Sequence, residues 1–333
     1  MLPYRPHLLL RNGHLQTALG SLVPGVRPPH RAVPIEISLL DGESLIAHEE
    51  LTETLADDSP IVILIHGLGG CHRSPYMQRI AKRLSDNRLR CWRMDLRGSG
   101  SAIRYGSKPA HAGSSDDVAA VVAQACGQFP RAPIFLVGFS LGGAILLKML
   151  GEAATGALSL AIDPARIRMA LAVAPPIDLA LCSNNMERLS RMVYTRYYLR
   201  MLSKQVALRA DLWPQWREIP RRPFVKTIRQ FDARYTAPLA GFESSEHYYA
   251  VCSSERWLAS IANQTVILVD RDDPIVPAIT FRTANLSPKV NIQYTRNGGH
   301  LGYIGRDDNG RSMRWMDYWV TQSITQALGV RYD

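Results

Sequence analysis

The fold of this chain is decided by the stretch Ile134-Phe-Leu-Val-Gly-Phe-Ser-Leu-Gly-Gly143. Its first residues predict a buried strand, and the apolar run from Ala144 to Leu150 predicts a helix. Between them lies a Gly-x-Ser-x-Gly turn centred on Ser140. Such a turn holds its serine in strained backbone geometry and lifts the hydroxyl out of the sheet, while the small residues let strand and helix approach closely. We therefore predict that Ser140 is a nucleophile.

A serine hydroxyl is a weak nucleophile at neutral pH, so this prediction requires a base and an acid that orients it. His300 is the predicted base, because it follows a strand-like run in the glycine-containing loop Arg296-Asn-Gly-Gly-His300. Three aspartates end an earlier strand in Val266-Ile-Leu-Val-Asp-Arg-Asp-Asp-Pro274. We predict that Asp273 fixes the imidazole tautomer, with Asp272 as the alternative. One of these carboxylates is expected to cap the next helix instead.

An acyl-transfer site also needs backbone N–H groups that stabilise a negatively charged oxygen. Leu141 follows the predicted nucleophile and begins a helix, so its N–H gains from the helix dipole. The second predicted donor is Leu68, in the loop His66-Gly-Leu-Gly-Gly70 after a buried strand. The residues predicted to contact substrate are Gly67, Phe139, His111, Phe242 and Tyr248.

The rest of the chain predicts an α/β fold: a mostly parallel central sheet flanked by helices, with an inserted helical cap. Alternating residues on both sides of Asp41-Gly42 predict an antiparallel hairpin that opens the sheet. The strand–helix rhythm stops after residue 175 and resumes at 262. We therefore predict a core over 1–175, with an N-terminal extension over 1–32, a cap over 176–261, and the rest of the core over 262–333. Six further strands are predicted at 61–65, 90–94, 134–138, 169–174, 266–270 and 291–295, and helices at 75–85, 115–126, 141–151, 276–284 and 311–328.

Composition restricts the partners. The formal net charge of the 333 residues is +10, which suits an anionic partner, and we expect a peripheral contact with anionic lipid. Basic residues are concentrated over 191–226, where the alternative interpretation is a solvated face of amphipathic helices. No DNA- or RNA-binding motif accompanies the charge, so we expect no nucleic-acid partner. No apolar stretch approaches the ~20 residues of a membrane span, so stable membrane insertion is not expected. Five scattered cysteines without a Cys-x-x-Cys pair favour a reducing, cytoplasmic setting, and we predict no metal and no cofactor.

The chain resembles the YheT-like branch of the α/β-hydrolases, which is related to eukaryotic abhydrolase-domain phospholipases and esterases. The matching segments are Asn12-Gly-His-Leu-Gln-Thr17, His66-Gly-Leu-Gly-Gly70, Gly138-Phe-Ser-Leu-Gly-Gly143, Thr236-Ala-Pro-Leu-Ala-Gly-Phe242, Asp272-Asp-Pro274 and Gly298-Gly-His300. The resemblance implies a Ser140, Asp273 and His300 triad. Two segments depart from the family pattern, Asp95-Leu-Arg-Gly-Ser-Gly100 and His111-Ala-Gly113. These departures leave the triad unaffected but imply a different cleft lining.

These residues predict a serine hydrolase that cleaves a small-molecule or lipid carboxylic ester through an acyl-enzyme on Ser140. Two alternatives use the same triad, a phospholipase-like hydrolase and an acyltransferase. A third alternative, from another class, is a catalytically inactive binding module of the same fold.

Overall fold

The computed structural model describes residues 3–23, 32–51, 55–219 and 224–329. The strands of the main sheet are β1 (Ala32–Ser38), β2 (Ser44–Glu50), β3 (Ile61–Ile65), β4 (Arg90–Asp95), β5 (Ile134–Phe139), β6 (Ile167–Val173), β7 (Thr265–Asp270) and β8 (Val290–Thr295). Within the described residues these eight strands form one sheet in the order β1-β2-β4-β3-β5-β6-β7-β8. The β1–β2 and β2–β4 pairs are antiparallel and all other neighbours are parallel.

The predicted α/β architecture is confirmed, including the hairpin between β1 and β2, in which Ser38 lies opposite Ser44. Strands β3 and β5 are apolar throughout because both of their faces are covered. In β3, for example, alternate side chains enter two separate apolar clusters: Ile61, Ile63 and Ile65 enter one, and Val62 and Leu64 the other.

The helices are α1 (Gly13–Leu22), α2 (Pro75–Asp86), α3 (Ser115–Gln128), α4 (Leu141–Thr155), α5 (Leu179–Met186), α6 (Met192–Leu212), α7 (Pro214–Arg217), α8 (Ile228–Phe231), α9 (Ala237–Leu239), α10 (Ser245–Cys252), α11 (Thr280–Thr283) and α12 (Trp315–Ala327). Helices α3 and α4 cover one face of the sheet, where Val122 and Ile145 enter its core. Helices α2 and α12 cover the other face through residues such as Ile80 and Trp319.

The segment between β6 and β7 is helical. It holds α5 to α10 and a π-helical turn, Asp232–Thr236, and a third apolar cluster joins α6, α7 and α8. The predicted cap boundaries, 176 and 261, stay a prediction. Residues 220–223 of the basic stretch and residues 1–2 and 24–31 of the predicted N-terminal extension lie outside the described residues.

Two predicted helices were wrong in extent. The segment 276–284 forms a helix only over α11, since Pro277 has no N–H to donate and the Asp273 side chain bonds instead to the main chain of Ile275 and Val276. The segment 311–328 begins as a strand rather than a helix. That strand, β10 (Ser312–Arg314), pairs antiparallel with β9 (Ile304–Arg306). A turn that ends at Gly310, with φ of +75°, joins them.

Candidate active site

Ser140 occupies the sharp turn between β5 and α4. Its φ is +49° and its ψ −120°, a conformation that costs a non-glycine residue on the order of 1–3 kcal/mol. The flanking glycines are required by space: a Cβ at Gly138 would lie 2.5 Å from the Gly142 carbonyl oxygen, and one at Gly142 would lie 2.5 Å from the His66 carbonyl oxygen. The sequence therefore folds this turn in one way, with the hydroxyl above the carboxyl end of the sheet.

The structure brings Ser140, His300 and Asp273 together in one chain of contacts. His300 Nε2 lies 2.9 Å from Ser140 Oγ, and His300 Nδ1 lies 2.8 Å from Asp273 Oδ2. The other oxygen of Asp273 accepts hydrogen bonds from the N–H groups of Ile275, at 2.7 Å, and Val276, at 3.0 Å. With Nδ1 facing a carboxylate, the ring carries its proton there, and Nε2 is left to accept the serine proton.

The two other aspartates of this loop have different partners. Asp270 accepts hydrogen bonds from the backbone N–H of Gly298, at 2.8 Å, and Gly299, at 3.1 Å. Burial raises the pKa of the Asp270 carboxyl above its ordinary value. Asp272 accepts from the backbone N–H of Asn297, at 2.9 Å. Both carboxylates therefore hold the backbone of the loop that carries the histidine, a role that the sequence analysis predicted for neither of them.

Helix α1 contacts the same loop from outside the sheet. The hydroxyl of Thr17 accepts a hydrogen bond from the backbone N–H of His300. A Cβ at Gly13 would lie 1.9 Å from the carbonyl oxygen of Asp272, so the two backbones touch. At the other side of the helix, His14 Nδ1 lies 2.9 Å from the hydroxyl of Tyr194 on α6. The segment 12–17 was singled out as a motif, but its position behind the histidine has no signal in the sequence.

Two backbone N–H groups face the space beside Ser140. Leu68 and Leu141 both line the cavity there, and within the described residues neither N–H donates to a protein acceptor. The loop is held by Tyr76, whose hydroxyl accepts from the N–H of Gly67 at 3.1 Å. These two N–H groups stay the predicted oxyanion donors.

Two cavities meet at Ser140. The first lies beneath the helices between β6 and β7 and has a mainly apolar wall, to which Leu179, Met186, Leu202, Val206, Trp216 and Phe231 contribute. The second lies between α1, α2 and α6, and its wall includes Thr17, Tyr76, Tyr194, Tyr197, Met201 and His300. Both cavities share Gly67, Leu68, Gly69, Ser140, Tyr198 and Ile275.

The predicted substrate contacts divide into two groups. Gly67 and Tyr248 line the first cavity. Phe139, His111 and Phe242 are not among the residues that line either cavity. Phe139 follows the strand alternation to the far face of the sheet, where it is fully buried, and His111 packs edge-on against Phe242. Any effect of these three on substrate is therefore indirect.

A buried cluster of His48, His72 and Asp95 offers the donor types of a metal site. His72 Nδ1 lies 2.7 Å from Asp95 Oδ2, and His48 Nε2 lies 3.4 Å from the same oxygen. The two rings are stacked, with centroids 3.5 Å apart and planes 17° from parallel. Lone pairs in two stacked planes do not converge on one ion, so this cluster fits a hydrogen-bonded carboxylate better than a metal.

Comparison with known proteins agrees with this fold. The model of the alpha/beta hydrolase fold matches residues 60–307. The chain is 30% identical over 299 residues to YheT of Escherichia coli (strain K12), covering 88% of this chain and 85% of that one. It is 26% identical over 252 residues to mouse phospholipase ABHD3, covering 75% of this chain but 59% of the relative. The Pyrococcus furiosus esterase Pf2001 shares the fold, with a TM-score of 0.57, 17% identity, and coverage of 90% and 91%.

The chain therefore belongs to the α/β-hydrolase fold family, in its YheT-like branch. The predicted class, an esterase-like hydrolase, is confirmed by these similarities. The chain spans less than two thirds of the length of the phospholipase relative. Among the described residues, no helix has the length and apolarity to cross a membrane.

Proposed function

We propose that the protein cleaves carboxylic esters through an acyl-enzyme on Ser140, with His300 as general base and Asp273 as its orienting acid. The observation that carries the proposal is the pair of contacts on the imidazole, 2.9 Å to the serine hydroxyl and 2.8 Å to the carboxylate. A general base must be within hydrogen-bond reach of the proton it removes, and this geometry satisfies that requirement before substrate binds.

The steps follow from these positions. Ser140 Oγ attacks the ester carbonyl carbon while its proton passes to His300 Nε2, and the oxyanion accepts hydrogen bonds from Leu68 and Leu141. The bond from carbon to the alcohol oxygen breaks, and His300 gives its proton to that oxygen. Water then attacks the acyl-serine, its proton passes to His300, and the acid leaves as Ser140 regains its hydrogen. Each backbone donor is worth on the order of 10²–10³ in kcat in comparable sites.

The apolar first cavity favours a substrate with an apolar acyl chain, and a lipid-directed hydrolase is the second candidate. Phospholipase ABHD3 is a relative, and an acyltransferase would use the same residues with an alcohol in place of water. An inactive binding module is the weaker alternative, since the three side chains of the predicted triad are present and in contact.

The outer face of α6 supports a peripheral contact with anionic lipid. Basic and apolar side chains alternate there at helical spacing, all exposed: Val193, Arg196, Tyr197, Arg200, Lys204 and Leu208. Val193 and Tyr197 of this stripe also line the second cavity, and less exposed residues of the same helix line both cavities. A negatively charged surface that binds this stripe would therefore lie near the entrance to Ser140.

The proposed activity is tested with p-nitrophenyl esters of increasing acyl length and with a phospholipid, on the wild type and Ser140→Ala. We expect hydrolysis of the esters by the wild type only. The exposed Ser203 on α6 supplies the control variant Ser203→Ala, which should match the wild type. Activity that survives in Ser140→Ala would contradict the assignment.

A further inference from the structure

Tyrosine hydroxyls surround Ser140, and most of them are occupied by protein partners. Those that line the two cavities and bond to a protein group are Tyr76, Tyr194, Tyr248 and Tyr249. Tyr197 also lines the second cavity but is 49% exposed. Tyr198 differs from all of these. It is partly buried, it lines both cavities where they meet, and within the described residues its hydroxyl bonds to no protein group.

An unpaired hydroxyl in a cavity wall is available to a ligand. A polar group that leaves water without gaining a partner costs free energy, so such groups in native proteins are usually bonded. Burial and, next, the charge of Asp273 raise the pKa of Tyr198 well above its ordinary value. The phenol is therefore neutral at physiological pH, and it can both donate and accept a hydrogen bond.

The position of His300 decides which part of an ester lies in which cavity. The imidazole must give its proton to the oxygen of the departing alcohol. His300 lines the second cavity and is not among the residues that line the first. The alcohol therefore leaves through the second cavity, and the acyl chain occupies the apolar first cavity.

The wall of the second cavity indicates the chemistry of that alcohol. The hydroxyl groups of Thr17, Ser21 and Ser74 in this wall bond to protein groups, so the free, partly buried hydroxyl is that of Tyr198. The cationic side chain in this wall is Arg79, which lies 2.5 Å from the carboxylate of Asp317. The hydroxyl of Tyr198 can thus bond to a hydroxyl of the alcohol, while the guanidinium is already paired with a carboxylate. An uncharged alcohol fits better than a phosphate-bearing one.

We propose that Tyr198 is a specificity-determining residue that binds a second, free hydroxyl on the leaving alcohol, so that the preferred substrates are apolar acyl esters of uncharged diols or triols. This inference rests on the proposed function.

The test compares two esters of nearly equal size and the same acyl chain, propyl octanoate and 2-hydroxyethyl octanoate. Both give the same acyl-enzyme, so the ratio of their kcat/KM values reports only the alcohol side. We expect the wild type to favour the hydroxyethyl ester and Tyr198→Phe to lose that preference by about tenfold. Tyr105→Phe is the control, since it removes the hydroxyl of an exposed tyrosine that lines neither cavity, and it should keep the wild-type ratio. Thermal unfolding of both variants checks that they fold.

Each outcome separates the two proposals. Labelling of Ser140 by a fluorophosphonate together with equal ratios in the wild type and Tyr198→Phe would overturn the role of Tyr198 and leave the proposed function intact. A preference for an octanoyl lysophospholipid over the hydroxyethyl ester would overturn the inference that the leaving alcohol is uncharged. Absence of both labelling and hydrolysis in folded wild-type protein would overturn the proposed function itself.

Discussion

The hydroxyl of Thr17 accepts a 2.8 Å hydrogen bond from the backbone N–H of His300, a residue 283 positions later in the chain. The same hydroxyl donates to the carbonyl oxygen of Gly13, at 2.7 Å, so its orientation is fixed. Thr17 is only 5% exposed. The first helix therefore supports the loop that carries the proposed base.

Replacing Thr17 with Val removes the acceptor for the His300 N–H while keeping the side-chain volume. We expect kcat to fall by about 10- to 100-fold with little change in KM, because a displaced imidazole affects the chemical step more than binding. Thr17→Ser keeps the acceptor and should recover most of the activity. Steady-state kinetics on an octanoate ester measures both. Equal activity in the valine and serine variants would show that the Thr17 hydroxyl does not position His300.

The acid of the proposed triad is tested by two isosteric changes in one loop. Asp273→Asn should lower kcat by about 10⁴, since an amide favours the wrong imidazole tautomer. Asp272→Asn should cost far less, because the Asp272 side chain bonds to the backbone N–H of Asn297. Circular dichroism checks the fold of each. A larger loss in the Asp272 variant would contradict the assignment.

Asp232 is expected to make the free energy of unfolding depend on pH. Its carboxyl accepts hydrogen bonds from Tyr249 and Thr236, but burial outweighs them and raises its pKa to about 6 from an ordinary value of 3.8. Between about pH 4 and 6 the folded state holds a proton that the unfolded state has lost, so raising the pH through this window lowers the free energy of unfolding. In Asp232→Asn this loss, about 1–3 kcal/mol, should be absent.

The measurement is urea unfolding of both proteins at pH 4, 5, 6 and 7. The free energy of unfolding of the variant relative to the wild type should increase from pH 4 to 6 and then level off. A difference that is constant across this range would show that Asp232 ionises in the folded protein as it does in the unfolded one.

The proposed lipid contact is tested by reversing charge on the outer face of α6. Arg196→Glu combined with Arg200→Glu should weaken sedimentation with vesicles containing phosphatidylserine by at least about tenfold, since each basic residue near such a surface contributes about 1 kcal/mol. Lys289→Glu is an exposed control on another part of the surface and should have less effect. Equal binding of the wild type to vesicles of neutral lipid would contradict the electrostatic contact.

The sequence predicted those features that depend on neighbouring residues in the chain. The turn at Ser140 follows from glycines at fixed spacing, and the positions of His300 and Asp273 follow from the strands that precede them. The distant contact of Thr17 with the histidine loop has no local signal, because it depends on how α1 packs. Tyr198 was missed for a similar reason. The sequence of α6 does not show which of its side chains line a cavity, because that depends on how the helix packs.

Other errors have equally physical causes. Phe139 is predicted to contact substrate, but side chains alternate along a strand and Phe139 faces the opposite core. The segment after residue 311 was read as helix because of its apolar pattern. The Asn309-Gly310 pair directly before it is a turn signal, and the turn there joins β9 to β10.

The central claim, an acyl-enzyme on Ser140, is tested most directly by acid quench of the enzyme during turnover of p-nitrophenyl octanoate, followed by mass spectrometry. The account predicts that intact wild-type protein gains the mass of one octanoyl group and that peptide mapping places it on Ser140. The adduct should be absent in Ser140→Ala and present in Ser203→Ala. An octanoyl group on any other residue, or rapid hydrolysis that leaves no adduct while Ser140→Ala remains active, would contradict it.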